Sequence, residues 1–494
     1  MEDMLFGLGN VLLFTNLLFI AIGMLLGIFI GSMPGLSATM GIAILLPLTY
    51  GMDPATGISM LASLYMGAMY GGSILAILIN TPGTPAAAAT GLDGYKMTEN
   101  GQPGRALGIS LVSSVIGGII GAIVLLAFAP LLGTLALKIG AVELFAIAVL
   151  GITIISSLSA GSVVKGLLSG TLGLLISLIG MDAITGTARF TFGNIYFFDG
   201  ISFVVALIGL FSIPQALKLV EKEKEKLKVN KIEDKIFPKW KEIKPLTPTI
   251  LRSSIIGVFT GLIPGTGGDT ASWFSYNEAK RFSKHKEKFG TGHPEGLAAP
   301  ESANNAVVGG ALVPTITLGI PGSSATAVLL GGLMIHGIMP GPTLMTEHAG
   351  VAYTLLWAVL ISCFFLLVIG LMYTKVAVNV TKIPPKVLAP IIILLSVIGT
   401  FAVHNSMVDV MVMLVFGLIG YFMDKVNIPV APLVVGLILG TMLDTSMHTA
   451  LRIAGGDWMT FLSSPVAVIL LVIALITVLQ STPFFGKIKP LIRK

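Results

Sequence analysis

Two short motifs in this 494-residue sequence combine residue types that break helices with residue types that bind ions, and each occurs twice. Gly27-Ile-Phe-Ile-Gly31-Ser-Met-Pro34-Gly35 matches Gly257-Val-Phe-Thr-Gly261-Leu-Ile-Pro264-Gly265 at five identical positions. Further along each copy, Thr81-Pro82-Gly83-Thr84 is echoed by Ile320-Pro321-Gly322-Ser323, with alanines following at Ala86 and Ala88 and at Ala325 and Ala327. A Pro-Gly pair cannot continue a helix, because proline removes a donor and clashes with the turn before it. The amides and carbonyls so freed can hold an anion and a cation respectively. We therefore take Ser32, Pro34, Gly35, Ser37, Thr81, Pro82, Gly83, Thr84, Gly265, Thr266, Gly267, Pro321, Gly322, Ser323 and Ser324 as candidate substrate-binding residues. Close helix packing by small residues is the alternative for the Gly27/Gly31 and Gly257/Gly261 pairs.

A third segment, Gly296–Asn305, reads GLAAPESANN and leads into an apolar run. An ionisable group entering a membrane segment is a functional hypothesis by default. Asn80, Glu301, Ser302, Asn304 and Asn305 form the candidate cation-binding set, with sodium as the possible ion; a polar helix N-terminus at the interface is the alternative for the GLAAPESANN group.

The elements that must position these residues are membrane helices. Hydrophobic residues make up 54% of the chain and charged residues 11%, far below the roughly 25% charged of soluble domains. Fourteen apolar stretches, from 8–30 to 464–481, give about 10 to 13 crossings plus re-entrant pieces, at about 20 residues per crossing. The expected fold is all-α and polytopic. Residues 1–217 and 250–494 form two related halves, and a Lys/Glu-rich linker at 218–249 is assigned to the cytoplasm by its lysine excess. Duplicated broken helices are a mark of secondary transporters, and an inverted repeat is expected. The N-terminus lacks the basic region of a signal peptide, so the first apolar stretch reads as a retained span.

Other function classes lack their residues. The single cysteine, Cys363, allows no disulfide within the chain and no thiolate metal site. The net charge of +6 sits in loops beside apolar spans, and no nucleic-acid motif accompanies it. Thr266-Gly267-Gly268-Asp269 misses the Gly-x-Gly-Asp of presenilin-type proteases at its first position, and no His-Glu-x-x-His is present for zinc. Gly265-Thr-Gly-Gly-Asp-Thr lacks the lysine of a P-loop, so no enzyme class and no ATP-driven pump is supported. A passive channel and a stand-alone secondary transporter remain as rivals. Arg105, Arg189 and Arg252 are conceivable anion partners, each also suited to a membrane interface.

At several of these positions the sequence resembles the large membrane subunit of tripartite tricarboxylate transporters, the TctA family. The resemblance rests on PGL at Pro34–Leu36, YGGS at Tyr70–Ser73, NTPGTPAAAAT at Asn80–Thr90, DGY at Asp93–Tyr95 and GRALG at Arg105–Gly108. It continues with PGTGG at Pro264–Gly268, FG-x-G at Phe289–Gly292, EGLAAPESANNA at Glu295–Ala306, GIPGSSATAVLLGGL at Gly319–Leu333 and NIPVAPLVVGLILG at Asn427–Gly440. It implies a permease working with a small membrane subunit and an extracytoplasmic solute-binding protein, importing carboxylates such as citrate on a cation gradient, usually sodium. The family pattern after Gly440 often continues with acidic residues, and here only Asp444 stands in that stretch.

Overall fold

The computed structural model describes residues 2–33, 35–136, 138–158, 163–182, 184–221, 235–380 and 385–481. In chain order its first elements are α1 (Glu2–Val11), α2 (Phe14–Gly31), α3 (Ala38–Leu45), α4 (Pro54–Ile79), α5 (Ala88–Glu99) and α6 (Pro103–Ala136). Then come α7 (Ala141–Leu158), α8 (Val163–Ser177), the antiparallel pair β1 (Gly180–Met181) and β2 (Ala188–Arg189), and α9 (Phe203–Glu221). The rest of the chain supplies α10 (Trp240–Ile243), α11 (Thr247–Leu262), α12 (Gly267–Phe282), α13 (Pro294–Leu318) and α14 (Ser324–Ile335). It ends with α15 (Ala349–Val380), α16 (Pro385–His404), α17 (Met407–Lys425), α18 (Val430–Ile453) and α19 (Pro465–Ser481).

Seven helices among the described residues are long and apolar enough to cross a membrane: α2, α4, α6, α9, α15, α17 and α18. Six shorter apolar helices accompany them. The protein is thus an all-α, multi-pass membrane protein, as its composition requires. Helix α13 fails a hydropathy test for a physical reason: from Gly296 to Thr317 it is buried in protein and meets no lipid. It can therefore carry polar residues.

Contacts divide the chain into two compact units, residues 1–133 with 211–405 and residues 134–210 with 406–494. Each draws on both halves of the sequence. In the first unit α2 lies along α4 in the same direction. A methyl group built on Gly23, Gly27 or Gly31 would sit 2.2, 2.3 or 2.3 Å from the carbonyl oxygens of Met60, Leu64 and Ala68. Helix α11 lies along α13 likewise, with Gly257 facing the Ala303 carbonyl at 2.3 Å and Gly261 that of Val307 at 2.8 Å. These glycines let backbones approach where any side chain would clash, as small residues do between membrane helices. Helices α4 and α13 run antiparallel, since Ser73, Met69 and Met66 meet Glu301, Asn304 and Asn305 in opposite sequence order.

Local chemistry fixes the ends of these helices. Asp53 caps α4 by accepting from the amides of Ala55 and Thr56, and Pro54 occupies its first position, where no donor is lost. The helix stops at Asn80, in the left-handed conformation at φ 56°, and α13 stops likewise at Gly319, φ 70°. In the second unit α8 and α18 pack closely: a methyl on Gly173 would lie 2.0 Å from the Leu433 carbonyl, and one on Gly436 2.3 Å from that of Gly170.

Candidate substrate and ion site

The four helix breaks all fall in the first unit, and the two copies make corresponding contacts. Gly83 presses on the Gly31 carbonyl, and Gly322 presses on the Gly261 carbonyl, with methyl-to-oxygen distances of 2.1 and 2.7 Å. Their hydrogen bonds differ: the Gly83 amide donates to Gly72 of α4 at 3.0 Å, whereas in the other copy the first-break Gly265 amide donates to the second-break Gly322 at 3.0 Å. Gly35 (φ 87°) and Gly265 (φ 81°) turn the chain through the left-handed region that glycine alone enters without strain. Pro34 lies outside the described residues. Helix α3 packs on α14, and α12 packs on the single turn Pro85–Ala87 that follows Thr84. The helix after the first break of each half therefore packs on the helical segment after the second break of the other, while the breaks themselves touch within each half.

Helix N-termini emerge from these breaks, and their free amides with the helix dipole favour an anion. Ser37 caps α3 by accepting from the Met40 amide at 3.3 Å. Ser323 caps α14 in a reciprocal box with Thr326, and its hydroxyl lies 3.1 Å from that of Tyr65 on α4. Ser324, half-buried, is the first residue of α14, and Gly267, φ 67°, the first of α12. Pro321 and Gly322 are buried, whereas Pro82 is exposed. The Thr84 hydroxyl is buried against Gly72 and has no hydrogen-bond partner among the described residues. Other hydroxyls are occupied locally: Ser32 donates to Phe29 and meets the Tyr373 hydroxyl at 2.5 Å, Thr81 donates to Ile79 at 3.3 Å, and Thr266 donates to Thr260 and Ile263.

Along α13 the candidate cation residues separate into two kinds. The fully buried Glu301 carboxylate accepts from Ser73 at 2.5 Å and Thr90 at 2.6 Å on one oxygen, and from Ser110 at 2.6 Å and Ser114 at 3.0 Å on the other. Four hydroxyls from α4, α5 and α6 thus hold one carboxylate. Asn304 and Asn305, also fully buried, spend their amide nitrogens on the Met69 carbonyl at 3.2 Å and the Met66 sulfur at 3.4 Å. Their amide oxygens have no hydrogen-bond partner among the described residues. The Asn304 oxygen is aimed at the first turn of α12, 2.5 Å from where a methyl on Gly268 would stand. Ser302 bonds back to Ala298 and Ala299 on its own helix and is not brought to this row. Asn80, exposed at the end of α4, faces Gly91 of α5 and is not brought to Glu301.

Several anchoring residues stood in motifs whose partners no sequence spacing reveals. Asp93, fully buried in DGY, accepts from the Tyr276 hydroxyl at 2.9 Å and from the amides of Gly290, Gly292 and His293 at 2.7 to 3.0 Å. The glycines of FG-x-G wrap it at φ 83° and 101°. Arg105 of GRALG donates to Gln102 and Glu242, each at 2.8 Å. The Lys239 amide, and then Arg105, hold the Glu242 carboxyl below the usual range. In the second unit Asp444 takes a two-pronged bond from Arg189 at 3.0 and 2.9 Å, and Asp182 pairs with the same guanidinium. The amides of Ile184 and Thr185 hold the Asp182 carboxyl well below the usual carboxylate range, with Arg189 adding to the effect. None of Arg105, Arg189 and Arg252 has an assignment to substrate from these contacts.

Buried broken helices, paired across two halves of a multi-pass bundle, define a membrane transporter with a protein-enclosed polar centre. Comparison at the family level matches residues 17–435 to the Tripartite tricarboxylate transporter TctA family, and the chain belongs to that family. It is 36% identical over 461 residues to an "Uncharacterized 52.8 kDa protein in TAR-I ttuC' 3'region" of Agrobacterium vitis, covering 93% of this chain and 92% of that one. An "Uncharacterized protein in TAR-II ttuC' 3'region" of the same organism is 34% identical over 223 residues, 45% of this chain and 92% of that protein. No solved structure matches.

Proposed function

We propose that this chain is the permease of a sodium-coupled tripartite importer of tricarboxylates or related organic acids. It works with a small membrane subunit and an extracytoplasmic binding protein, in the cytoplasmic membrane of a prokaryote. The observation that supports this reading is the reciprocal packing of the segments that follow the breaks, α3 with α14 and α12 with the Pro85–Ala87 turn. Amides and hydroxyls at Ser37, Thr84, Thr266–Gly267 and Ser323–Ser324 receive the substrate carboxylates, with the flanking Ser32, Pro34, Gly35, Thr81, Pro82, Gly83, Gly265, Pro321 and Gly322 shaping the breaks. Carbonyls, with Asn304 and Asn305, hold the cation, and Glu301 beside Ser302 supplies negative charge. Antiparallel α4 and α13, each parallel to its own glycine-bearing partner, support an inverted repeat.

The test is uptake of radiolabelled citrate and other carboxylates into vesicles holding this chain, its small subunit and candidate binding proteins, with and without a sodium gradient. Accumulation that needs both sodium and a binding protein is expected, and Asn304→Ala and Ser323→Ala abolish it while the chain still inserts. Normal uptake in both variants refutes the site. Accumulation without a binding protein removes the tripartite arrangement, and gradient-indifferent equilibration identifies a channel.

A further inference from the structure

On the outer face of α11 and α12, away from the breaks, lies an open groove of about 520 Å³ lined by Arg252, Ile255, Ile256, Phe274 and Glu278. Its walls are apolar and turned outward: Ile255 is 53% exposed and Phe274 61%. Ile255, Phe259 and Ile263 continue as an exposed stripe along α11 at helical spacing. At the groove's polar end two cations converge on one ring, the Arg252 guanidinium 4.8 Å and the Arg281 guanidinium 5.6 Å from the centre of Phe282. The Arg252 Nε is buried with no hydrogen-bond partner among the described residues. Among the described residues Glu278 pairs with Arg281, at 4.0 Å, while Lys280 and Lys284 stand exposed beside it.

At the head of the apolar channel Arg252, Arg281, Lys280 and Lys284 face the single carboxylate of Glu278, which leaves that end net positive. Arg252 lies in the second turn of α11, shortly after the lysine-rich linker whose charge assigns it to the cytoplasm. Arginine's planar fork matches phosphate oxygens, and basic pockets between membrane helices hold anionic headgroups.

We propose that this groove is a binding site for one anionic glycerophospholipid. Its phosphate sits between Arg252 and Arg281, and an acyl chain lies along Ile255, Phe274, Phe259 and Ile263. Glu278 sets the site's net charge and weakens it for neutral competitors less than for the anionic lipid.

Trp273, 42% exposed beside Phe274, is a built-in reporter. Full-length protein with Trp240, Trp357 and Trp458 changed to Phe is reconstituted in vesicles of brominated phosphatidylglycerol mixed with phosphatidylcholine, then the converse. Trp273 quenching is expected to show a preference for phosphatidylglycerol. Arg252→Gln should lower that preference about fivefold, the factor for roughly 1 kcal/mol per basic residue at a charged surface. Arg281→Gln should lower it too, and Glu278→Gln should raise it. Equal quenching by both lipids in the parent, or a preference untouched by Arg252→Gln, overturns the proposal. So does inorganic phosphate relieving the quenching as well as unbrominated phosphatidylglycerol, which would make the site one for a soluble anion.

Discussion

Glu301→Ala is the most informative single change in the protein. The carboxylate collects four hydroxyl bonds of 2.5 to 3.0 Å from α4, α5 and α6, so its removal unties three helices from α13 at once. Side-chain hydrogen bonds between membrane helices average about 0.6 kcal/mol and reach about 1.7. Four of them come to roughly 2–7 kcal/mol, before the cavity is counted. The hydroxyls can turn back to carbonyls of their own helices, which pulls the loss toward the lower end. Glu301→Gln keeps the shape and two acceptor positions, while its amide nitrogen obliges two hydroxyls to accept instead of donate, which Ser and Thr can do. It should cost less than half as much. The assay is thermal unfolding in detergent, read by a thiol-reactive dye, because the lone Cys363 is buried and becomes reactive only when the bundle opens. The Ala variant should melt several degrees lower and the Gln variant between it and the parent. An unchanged midpoint for Glu301→Ala refutes the clasp. Equal losses for Ala and Gln would show that charge, not hydrogen-bond geometry, holds the helices.

Other outcomes follow from the same contacts. Asp93→Ala strands one hydroxyl and three amides, at about 1–3 kcal/mol for each group left buried and unpaired, so trypsin should cut at Lys286 and Lys288 faster than in the parent. Gly322→Val places side-chain atoms against Ala311 and the Gly261 carbonyl, so uptake should fall at least tenfold even where the chain inserts. Because the folded state holds Asp182 below its ordinary range, its contribution is complete above that range and fades as pH falls through and below it. Protection factors across 180–189, corrected for the intrinsic slowing of amide exchange in acid, should therefore fall on acidification below about pH 4, and Arg189→Ala should lower them already at neutral pH.

The breaks were legible in the sequence because they are local: a Pro-Gly pair interrupts a helix whatever surrounds it, and the duplication made four of them readable together. The multi-pass helical class was legible from composition alone. What carried Glu301, Asp93 and Asp444 was not. Their partners lie 187 to 228, 183 to 200, and 255 residues away, and a serine on an apolar helix has the same pattern whether it faces lipid, its own carbonyl or a carboxylate. The partition into units was equally hidden, since the chain leaves the first unit within α6 and returns within α9 with no break in helical pattern. The stretch after Gly440 gains its meaning only from Arg189, which turns the single acid Asp444 into an anchor for the β1–β2 hairpin.

The polar row on α13 also ranks the candidates for the coupling ion. A carboxylate offers about four acceptor sites, and Glu301 has all four filled by hydroxyls. A cation drawn directly onto it must first displace one of those bonds. The amide oxygens of Asn304 and Asn305, one turn further along the same helix, are fully buried and unpaired among the described residues, and an unpaired buried acceptor costs about 1–3 kcal/mol. A bound cation recovers that cost. Asn304 is the better placed of the two, because its oxygen points at the glycine-rich first turn of α12, with only the flexible Met69 methyl and Ala86 beside it among the described residues. The nearby negative charge of Glu301 then acts through the seam, favouring a cation without touching it. On this argument the sodium concentration that half-maximally stabilises the detergent-solubilised protein against heat should rise more for Asn304→Ala than for Glu301→Gln. The reverse order would place the ion on the carboxylate.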